Sequence, residues 1–312
     1  MSAYIYPLKL SPIQKSPIWS GKKLAAEWNK GDQKTPVGES WELSVRDGDE
    51  SIVENGALRG RSLRSVIDEY GEKIVGSLSP HETFPLLVKL IDAGDDLSVQ
   101  VHPNNDYAKK FENSLGKSEM WYVLDAEDGA EIICGLKHHA KLSEIEEAIR
   151  SNTLLDLMRS IKVRRGECYY IPAGLPHAIG RGVLVAEIQQ NCDLTYRLYD
   201  YGRGRELHIK KALDNLKYFS DEEIDSARFY HADTNKSDSL LADCEFFRAE
   251  ILGSGKLSAQ KKMRHLLCVD GKGEIVVNEE RYPMSKGDSY VIPAALDEVL
   301  LCGSAKVIMS TV

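Results

Sequence analysis

The stretch Leu97-Ser98-Val99-Gln100-Val101-His102-Pro103 alternates apolar and polar side chains, directly after the apolar run 84–91. This alternation is typical of a half-buried β-strand. Because successive side chains of a strand point to opposite faces, Ser98, Gln100 and His102 share one face. An amide oxygen and an imidazole nitrogen therefore lie within reach of a common point, which we interpret as half of a metal site.

Two later segments offer ligands for the other half of this site. Glu119 is the first residue of a second strand-like run. A third such run, at 167–171, is followed by a loop rich in proline and glycine at 172–176, which presents His177. A single histidine or glutamate is more often an ordinary polar residue, so the prediction depends on the combination. The mixed nitrogen and oxygen set suits a divalent ion such as zinc; its members are Gln100, His102, Glu119 and His177.

Length and charge limit the class of protein. With 312 residues the chain has room for two domains or for one large β architecture. A net charge of −8 argues against nucleic acid or an anionic membrane as partner. A phosphorylated small substrate stays open, because a local basic pocket decides its binding. No apolar stretch approaches the roughly 20 residues that span a bilayer.

The chain start and the cysteines indicate the compartment. Residues 1–7 lack the charged region and apolar core of a signal peptide. The six cysteines are scattered singly, without a C-x-x-C pair, which is typical of reduced, buried thiols. We therefore expect a cytoplasmic protein.

Short strand-like runs separated by turn residues dominate the chain and favour a β-sandwich or barrel. Apolar spacing predicts a helical insertion from Leu142 to Met158, with Ser143 as its N-cap, and shorter helices at 24–28, 63–70 and 209–216. We thus expect a mainly β fold with short helical insertions.

An internal repeat suggests two related units. Residues 165–173 and 286–294 share a basic residue, Gly, an acid, a strand with Tyr and then Ile-Pro-Ala. Superposing the copies sets His177 against Glu298 and Glu119 against Arg264, so the second copy has lost the ligand types. We predict two β-barrel units, of which the first carries the metal site and its chemistry and the second is structural.

The motif Gly-x-x-x-x-Ile-Pro-Ala-Gly-x-x-His at 166–177, after a Q-x-H strand, resembles the cupin superfamily. The segments 97–103, 116–121, 187–190 and 195–200 are more specific and are similar to the short bacterial form of the type I mannose-6-phosphate isomerases. This resemblance implies two cupin (jelly-roll) β-barrels. Residues 1–235 would form the catalytic barrel with its N-terminal strands and helical insertion, and residues 236–312 a metal-free barrel.

The resemblance also implies roles for individual residues. It makes Gln100, His102, Glu119 and His177 the ligands of one Zn²⁺ per chain, Arg197 the active-site arginine and Lys117 a substrate-contacting lysine. The implied reaction interconverts mannose 6-phosphate and fructose 6-phosphate through an enediolate. Ser118 departs from the threonine more often found in this motif, but a hydroxyl is retained.

The residue chemistry leaves several assignments open. Arg197 can hold a phosphate or oxyanion with its planar fork, or form a structural ion pair with Asp193 or Asp200. Lys117 can be an acid–base group with a pKa lowered by the cation, or a solvated turn residue. The base that takes the C2 proton is open among Glu187, Asp193, Asp200 and a metal-bound water. Trp19, Trp41, Glu187 and Asp193 are predicted to bind the sugar, and Tyr169 is a further pocket candidate.

Two other functions compete with the isomerase. An iron-dependent cupin dioxygenase would favour an imidazole-rich ligand set, whereas an amide and a carboxylate suit a redox-inert ion. A non-catalytic sugar-binding cupin would bind ligand without turnover. The residues favour the isomerase over both.

Overall fold

The computed structural model describes residues 5–32, 34–77, 83–226, 230–231, 239–258 and 260–312. Within these ranges the chain is mainly β, as predicted. Most strands belong to four antiparallel sheets, which we number I to IV, and Val45–Arg46 with Asp49–Glu50 forms a separate hairpin.

Sheets I and II make up the first half of the architecture. Sheet I contains, in spatial order, Ile13–Lys15, Glu39–Leu43, Leu86–Asp92, Val183–Gln190, Glu119–Ala126, Glu167–Ile171 and Tyr230–His231. Sheet II contains Tyr196–Tyr199, Val99–Val101, His177–Ile179, Glu131–Leu136 and Met158–Lys162. An apolar core that includes Trp121, Ile179 and Val185 belongs to strands of both sheets. Each large apolar side chain buried there stabilises the fold by about 1.5–3 kcal/mol.

Sheets III and IV repeat this arrangement. Sheet III contains Ile52–Val53, Leu8–Ser11, Ser289–Ile292, Arg264–Asp270, Lys306–Thr311, Arg248–Leu252 and Ser239–Asp243. Sheet IV contains Gly255–Leu257, Val299–Gly303, Lys272–Val277 and Glu280–Ser285. Leu266, Ile275 and Val299 belong to the core of these two sheets. A further core, with Leu43, Val88 and Leu267, joins sheet I to sheet III.

The helices lie between strands in the chain and are short. They are Lys23–Glu27, Leu63–Tyr70, Glu72–Val75, Asn105–Phe111, Leu142–Arg150, Leu154–Leu157, Ile209–Asn215 and Asp221–Ser226, with a 3₁₀ turn at Gly56–Leu58. The predicted single helix from Leu142 to Met158 is instead two helices, Leu142–Arg150 and Leu154–Leu157, and Met158 begins a strand paired with Leu136. The N-cap also differs: Lys141 caps the helix, and its backbone N–H donates to Glu144.

The sheets are open over the described ranges, so the expected pair of closed barrels is not confirmed. The N-terminal segment crosses between the two halves, since Leu8 lies opposite Val291 in sheet III. A buried polar network adds to this connection. Lys30 Nζ donates to Glu42 and to the carbonyl of Gly287, and Ser289 Oγ donates to the carbonyl of Glu42.

The strand register agrees with the internal repeat. Glu119 lies opposite Ile171 in sheet I, and Arg264 lies opposite Ile292 in sheet III. Ile171 and Ile292 occupy the same place in the two copies, so Arg264 stands where the first copy has Glu119. Its guanidinium is fully buried and donates to the carbonyls of Ser258 and Leu296.

Candidate metal centre and active site

Three adjoining segments position the predicted ligands. His177 lies directly opposite Gln100 in sheet II, and His102 follows the Gln100 strand by one residue. Glu119 is the first residue of its strand in sheet I. The backbone N–H of Gly174 donates to the carbonyl of His102 at 3.0 Å and fixes the loop before His177.

His102, Glu119 and His177 form a buried cluster whose ligand atoms all lie within 4.8 Å of one another. The Nε2 atoms of the two histidines are 3.1 Å apart. Each is 3.5 Å from a different carboxylate oxygen of Glu119. Donors bound at about 2.0–2.2 Å to one tetrahedral ion are separated by roughly 3.3–3.6 Å. The two 3.5 Å spacings lie in this range and the 3.1 Å spacing is slightly shorter, so the cluster has about the size of such a site.

The hydrogen bonds of the histidines direct both Nε2 lone pairs into the cluster. Nδ1 of His102 donates to the carbonyl of Leu194 at 2.8 Å, and Nδ1 of His177 donates to the carbonyl of Leu175 at 2.8 Å. Since a neutral imidazole protonated on Nδ1 has only an acceptor at Nε2, two acceptors face each other. Burial, reinforced by the charge of Lys117, holds the pKa of His102 well below its usual value, and burial lowers the pKa of His177 to about 4.

Glu119 adds two more acceptors to the same space. Neither of its carboxylate oxygens accepts a hydrogen bond from the described residues, although both are buried. Lys117 Nζ lies 3.0 Å from Oε2, as an ion pair without hydrogen-bond geometry. A buried carboxylate facing two imidazole lone pairs is unfavourable unless a cation lies between them, so the donor set fits a divalent metal.

Gln100 is next to this cluster but less buried. Its Nε2 lies 3.4 Å from Nε2 of His177, and its Oε1 is 3.5 Å from Ser98 Oγ. A half-turn of the terminal amide brings Oε1 to the histidine side, where it can act as a neutral ligand. The four predicted ligands are therefore neighbours, with Gln100 at the rim.

A cavity of about 160 Å³ opens beside the cluster. Among its lining residues are the predicted side chains Trp19, Gln100, Lys117, Glu187, Asp193 and Arg197. Two aromatic predictions do not line it. Trp41 lies behind Lys89, whose Nζ is 4.8 Å from the ring centroid, and Tyr169 is part of the core and donates to Glu167.

Lys117 stands between the cluster and the cavity. Its side chain is 5% exposed, so it is not a solvated turn residue. Burial alone would lower its pKa, but the charges of Glu119, Glu187 and Asp193 outweigh burial and raise the pKa. Three carboxylates therefore stabilise the ammonium form of Lys117.

Glu187 is a buried carboxylate that faces the cavity. Trp121 Nε1 donates to its Oε2 at 2.9 Å, while Oε1 accepts no hydrogen bond from any described residue. Burial, reinforced by the charge of Glu119, raises the pKa of Glu187. A carboxylate with a raised pKa and an oxygen that accepts no hydrogen bond can accept a proton from a substrate carbon.

Sequence reasoning missed Lys89 and Glu39, which also line the cavity. Lys89 Nζ lies 3.4 Å from Glu39, 3.7 Å from Glu187 and 3.7 Å from Asp193. The signal was present: a lysine inside the apolar run 84–91 must be buried, and a buried lysine requires carboxylate partners.

Arg197 forms neither of the two predicted ion pairs, with Asp193 or with Asp200. Its Nε donates to Ser98 Oγ at 3.3 Å and its Nη1 donates to the carbonyl of Glu206 at 2.6 Å. Asp200 instead binds Arg203 and Arg205, is nearly fully buried, and does not line the cavity. Asp193 lines the cavity but is about half exposed.

The fold and the site together define a protein of the cupin class with a cluster that can hold a metal ion. Residues 240–312 match the family described as mannose-6-phosphate isomerase, cupin domain. Residues 8–142 match phosphomannose isomerase type I, catalytic domain. The chain belongs to the type I phosphomannose isomerase family, which confirms the resemblance stated from the motifs.

Individual relatives cover nearly the whole chain. Mannose-6-phosphate isomerase ManA of Bacillus subtilis is 38% identical over 97% of this chain and 98% of its own length. Mannose-6-phosphate isomerase of Streptococcus mutans is 35% identical over 97% of this chain and 98% of its own length. The crystal structure of mannose 6-phosphate isomerase from Bacillus subtilis superposes with a TM-score of 0.86 at 30% identity, covering 98% of this chain and 99% of that chain.

No helix among the described residues is long and apolar enough to cross a membrane.

Proposed function

We propose that the chain is a zinc-dependent aldose–ketose isomerase that interconverts mannose 6-phosphate and fructose 6-phosphate through an enediolate. The observation that carries this proposal is the convergence of two imidazole lone pairs and a carboxylate that accepts no hydrogen bond from the described residues, beside a cavity whose lining includes two lysines and two arginines. Relatives named for this activity support the substrate. The partner is then a small sugar phosphate in the cytoplasm, with neither nucleic acid nor membrane involved.

The proposed ligands of one zinc ion are His102, Glu119 and His177, completed by Gln100 through its amide oxygen. When bound, the ion supplies Lewis acidity that polarises a sugar oxygen, an effect worth several kcal/mol. A single carboxylate among four ligands leaves the ion with net positive charge, which suits that role.

The acid–base work falls to Glu187 and Lys117. Glu187 Oε1 removes the proton from C2 of the open-chain aldose and returns it to C1. Lys117 gives a proton to O1 and accepts one from O2, so that the protons balance over the reaction. Arg197 and Lys89 hold the sugar and compensate the negative charge that develops in the enediolate. Trp19 and Asp193 also line the cavity and limit the space for the sugar.

We further propose the domain division at residues 235 and 236, with the metal-binding unit first and a metal-free cupin unit second, to whose sheet III the strands Leu8–Ser11 and Ile52–Val53 contribute. Arg264 supports the second assignment, because its cation stands at the position of Glu119. Glu298, the counterpart of His177, is highly exposed and pairs with Lys256.

The test is a coupled assay that follows conversion of mannose 6-phosphate through fructose 6-phosphate, with and without a chelator. We expect turnover that the chelator abolishes and added zinc restores. Mass spectrometry of bound metal and oxygen uptake distinguish the iron dioxygenase. Iron with oxygen consumption, or binding of the sugar phosphate without turnover, would replace the isomerase assignment.

A further inference from the structure

The charges that line the cavity are unevenly distributed. Two lysines, Lys89 and Lys117, lie among the carboxylates Glu39, Glu187 and Asp193. The other charged lining residues are Arg197 and Arg205, and neither forms an ion pair with Glu39, Glu187 or Asp193. A dianionic group is repelled by the carboxylate side and attracted by the arginine side.

Asp200 orients Arg205 from behind. Oδ2 of Asp200 accepts from Nε of Arg205 at 2.9 Å, and Oδ1 accepts from Nη2 of the same residue. Arg203 Nη2 also donates to Oδ1, at 2.9 Å. One buried carboxylate thus binds two guanidinium groups and fixes the orientation of Arg205 at the cavity.

Arg203 and Arg205 both bind Asp200 but differ in how many of their guanidinium nitrogens have a protein acceptor. Arg203 is fully engaged, since its Nε donates to the Asp200 carbonyl and its Nη1 lies 3.5 Å from Asp95, and it does not line the cavity. Arg205 Nη1 has no acceptor within the described part of the chain, and neither has Arg197 Nη2. Two guanidinium nitrogens at one cavity therefore have no protein acceptor among the described residues and can bind a ligand.

We propose that Arg205 binds the phosphate group of the substrate and so sets the preference for a phosphorylated hexose over the free sugar. A phosphate monoester carries close to two negative charges at neutral pH and offers several acceptor oxygens. A guanidinium held rigidly from behind matches those oxygens better than a flexible ammonium. This inference rests on the proposed isomerase function and adds the residue that recognises the phosphate.

The experiment compares Arg205→Gln with Arg203→Gln, a matched loss of one charge in the same loop. For Arg205→Gln we expect KM for mannose 6-phosphate to rise on the order of tenfold to a hundredfold, as for a lost charged hydrogen bond. The kcat should stay near the wild-type value, because ground state and transition state bind the phosphate equally. Arg203→Gln should raise KM much less, and Arg205→Lys should lie between the two.

Binding of inorganic phosphate, measured by calorimetry, tests Arg205 without turnover. We expect Arg205→Gln and Arg205→Lys to weaken it in parallel with KM, with thermal unfolding as a check of the fold. Unchanged KM and phosphate affinity in either folded variant would overturn the inference, as would equal effects of Arg205→Gln and Arg203→Gln. Failure of the wild-type protein to isomerise the sugar phosphate would instead overturn the proposed function.

Discussion

Glu119 can be recognised as a functional residue because its buried carboxylate accepts no hydrogen bond from the described residues. Burial of such a carboxylate costs stability, and the ion pair of Glu119 with Lys117 at 3.0 Å compensates its desolvation only in part. Its oxygens also face two imidazole lone pairs, so binding of a cation among these acceptors is expected to stabilise the fold.

The proposed ligands can be tested by truncation. His102→Ala should remove bound metal and activity together, because a site that loses one of its ligands opens to water. Mass spectrometry of the purified variant gives the metal content, and the coupled assay gives the activity. The control is Glu298→Ala, at the position that the repeat sets against His177, which should keep both. Full metal and normal turnover in His102→Ala would contradict the ligand assignment.

Glu187→Gln tests the proposed base with a change of few atoms. The amide keeps a hydrogen-bond acceptor for Trp121 but cannot take a proton. We expect kcat to fall by about 10²–10⁴-fold, the usual contribution of a positioned base, while bound metal is unchanged. Exchange of the C2 hydrogen with solvent, followed by NMR, should slow in parallel. Exchange at the wild-type rate would assign the proton transfer to another group.

At the scale of elements, the loop 116–118 holds Lys117 in place. The backbone N–H groups of Gly116, Lys117 and Ser118 donate to Asn105 Oδ1, the Pro103 carbonyl and Gln190 Oε1. A Cβ on Gly116 would lie 2.5 Å from backbone atoms of Asn104 and Asn105. Only glycine fits at this close approach, so the loop and the helix Asn105–Phe111 are fixed against each other.

Gly116→Ala should therefore displace Lys117 and lower kcat by about tenfold or more, since small displacements of a catalytic group are costly. Gly129→Ala is the control. It places a Cβ in open space at a φ of 78°, so about 1–2 kcal/mol of stability is lost without an effect on kcat. Unfolding in urea and steady-state kinetics measure the two effects. Equal kcat values for both variants would show that the loop does not position Lys117.

An element could be predicted from the sequence when the residues that determine it are adjacent in the chain. The segment 97–103 could be interpreted because alternation and residue type lie in adjacent positions. The pairing of Leu8–Ser11 with Ser289–Ile292 could not, since it joins distant parts of the chain and no local pattern encodes it. Trp41 was predicted to contact the sugar because aromatic residues suit sugar pockets; the structure instead places it behind Lys89. Lys89 was not predicted as a site residue, because the apolar run 84–91 indicates a buried strand but not the carboxylates that pair with a buried lysine.

At the scale of the whole molecule, His265 connects stability to pH. It is fully buried in sheet III, Nε2 is 2.8 Å from Ser289 Oγ, and burial lowers its pKa to about 3. The unfolded chain therefore binds a proton at a higher pH than the folded chain does. Stability contributed by the neutral imidazole is complete above the unfolded pKa of about 6.5 and falls as the pH decreases toward 3.

His265→Gln should remove this dependence while an amide replaces the contact with Ser289. Between pH 7 and pH 4.5, the free energy of unfolding of the wild-type protein should fall by roughly 2–3 kcal/mol more than that of the variant. Urea unfolding at the two pH values measures both changes. The same decrease in both proteins would show that His265 does not titrate on unfolding.

The central claim is that His102, Glu119 and His177 converge on a cation required for isomerisation of a sugar phosphate. The most direct measurement determines the zinc content of the purified chain and its mannose 6-phosphate turnover in one sample, before chelation, after it and after zinc is restored. We predict one zinc per chain, loss of turnover with loss of zinc, and recovery of both together. Undiminished turnover in metal-free protein would contradict the account.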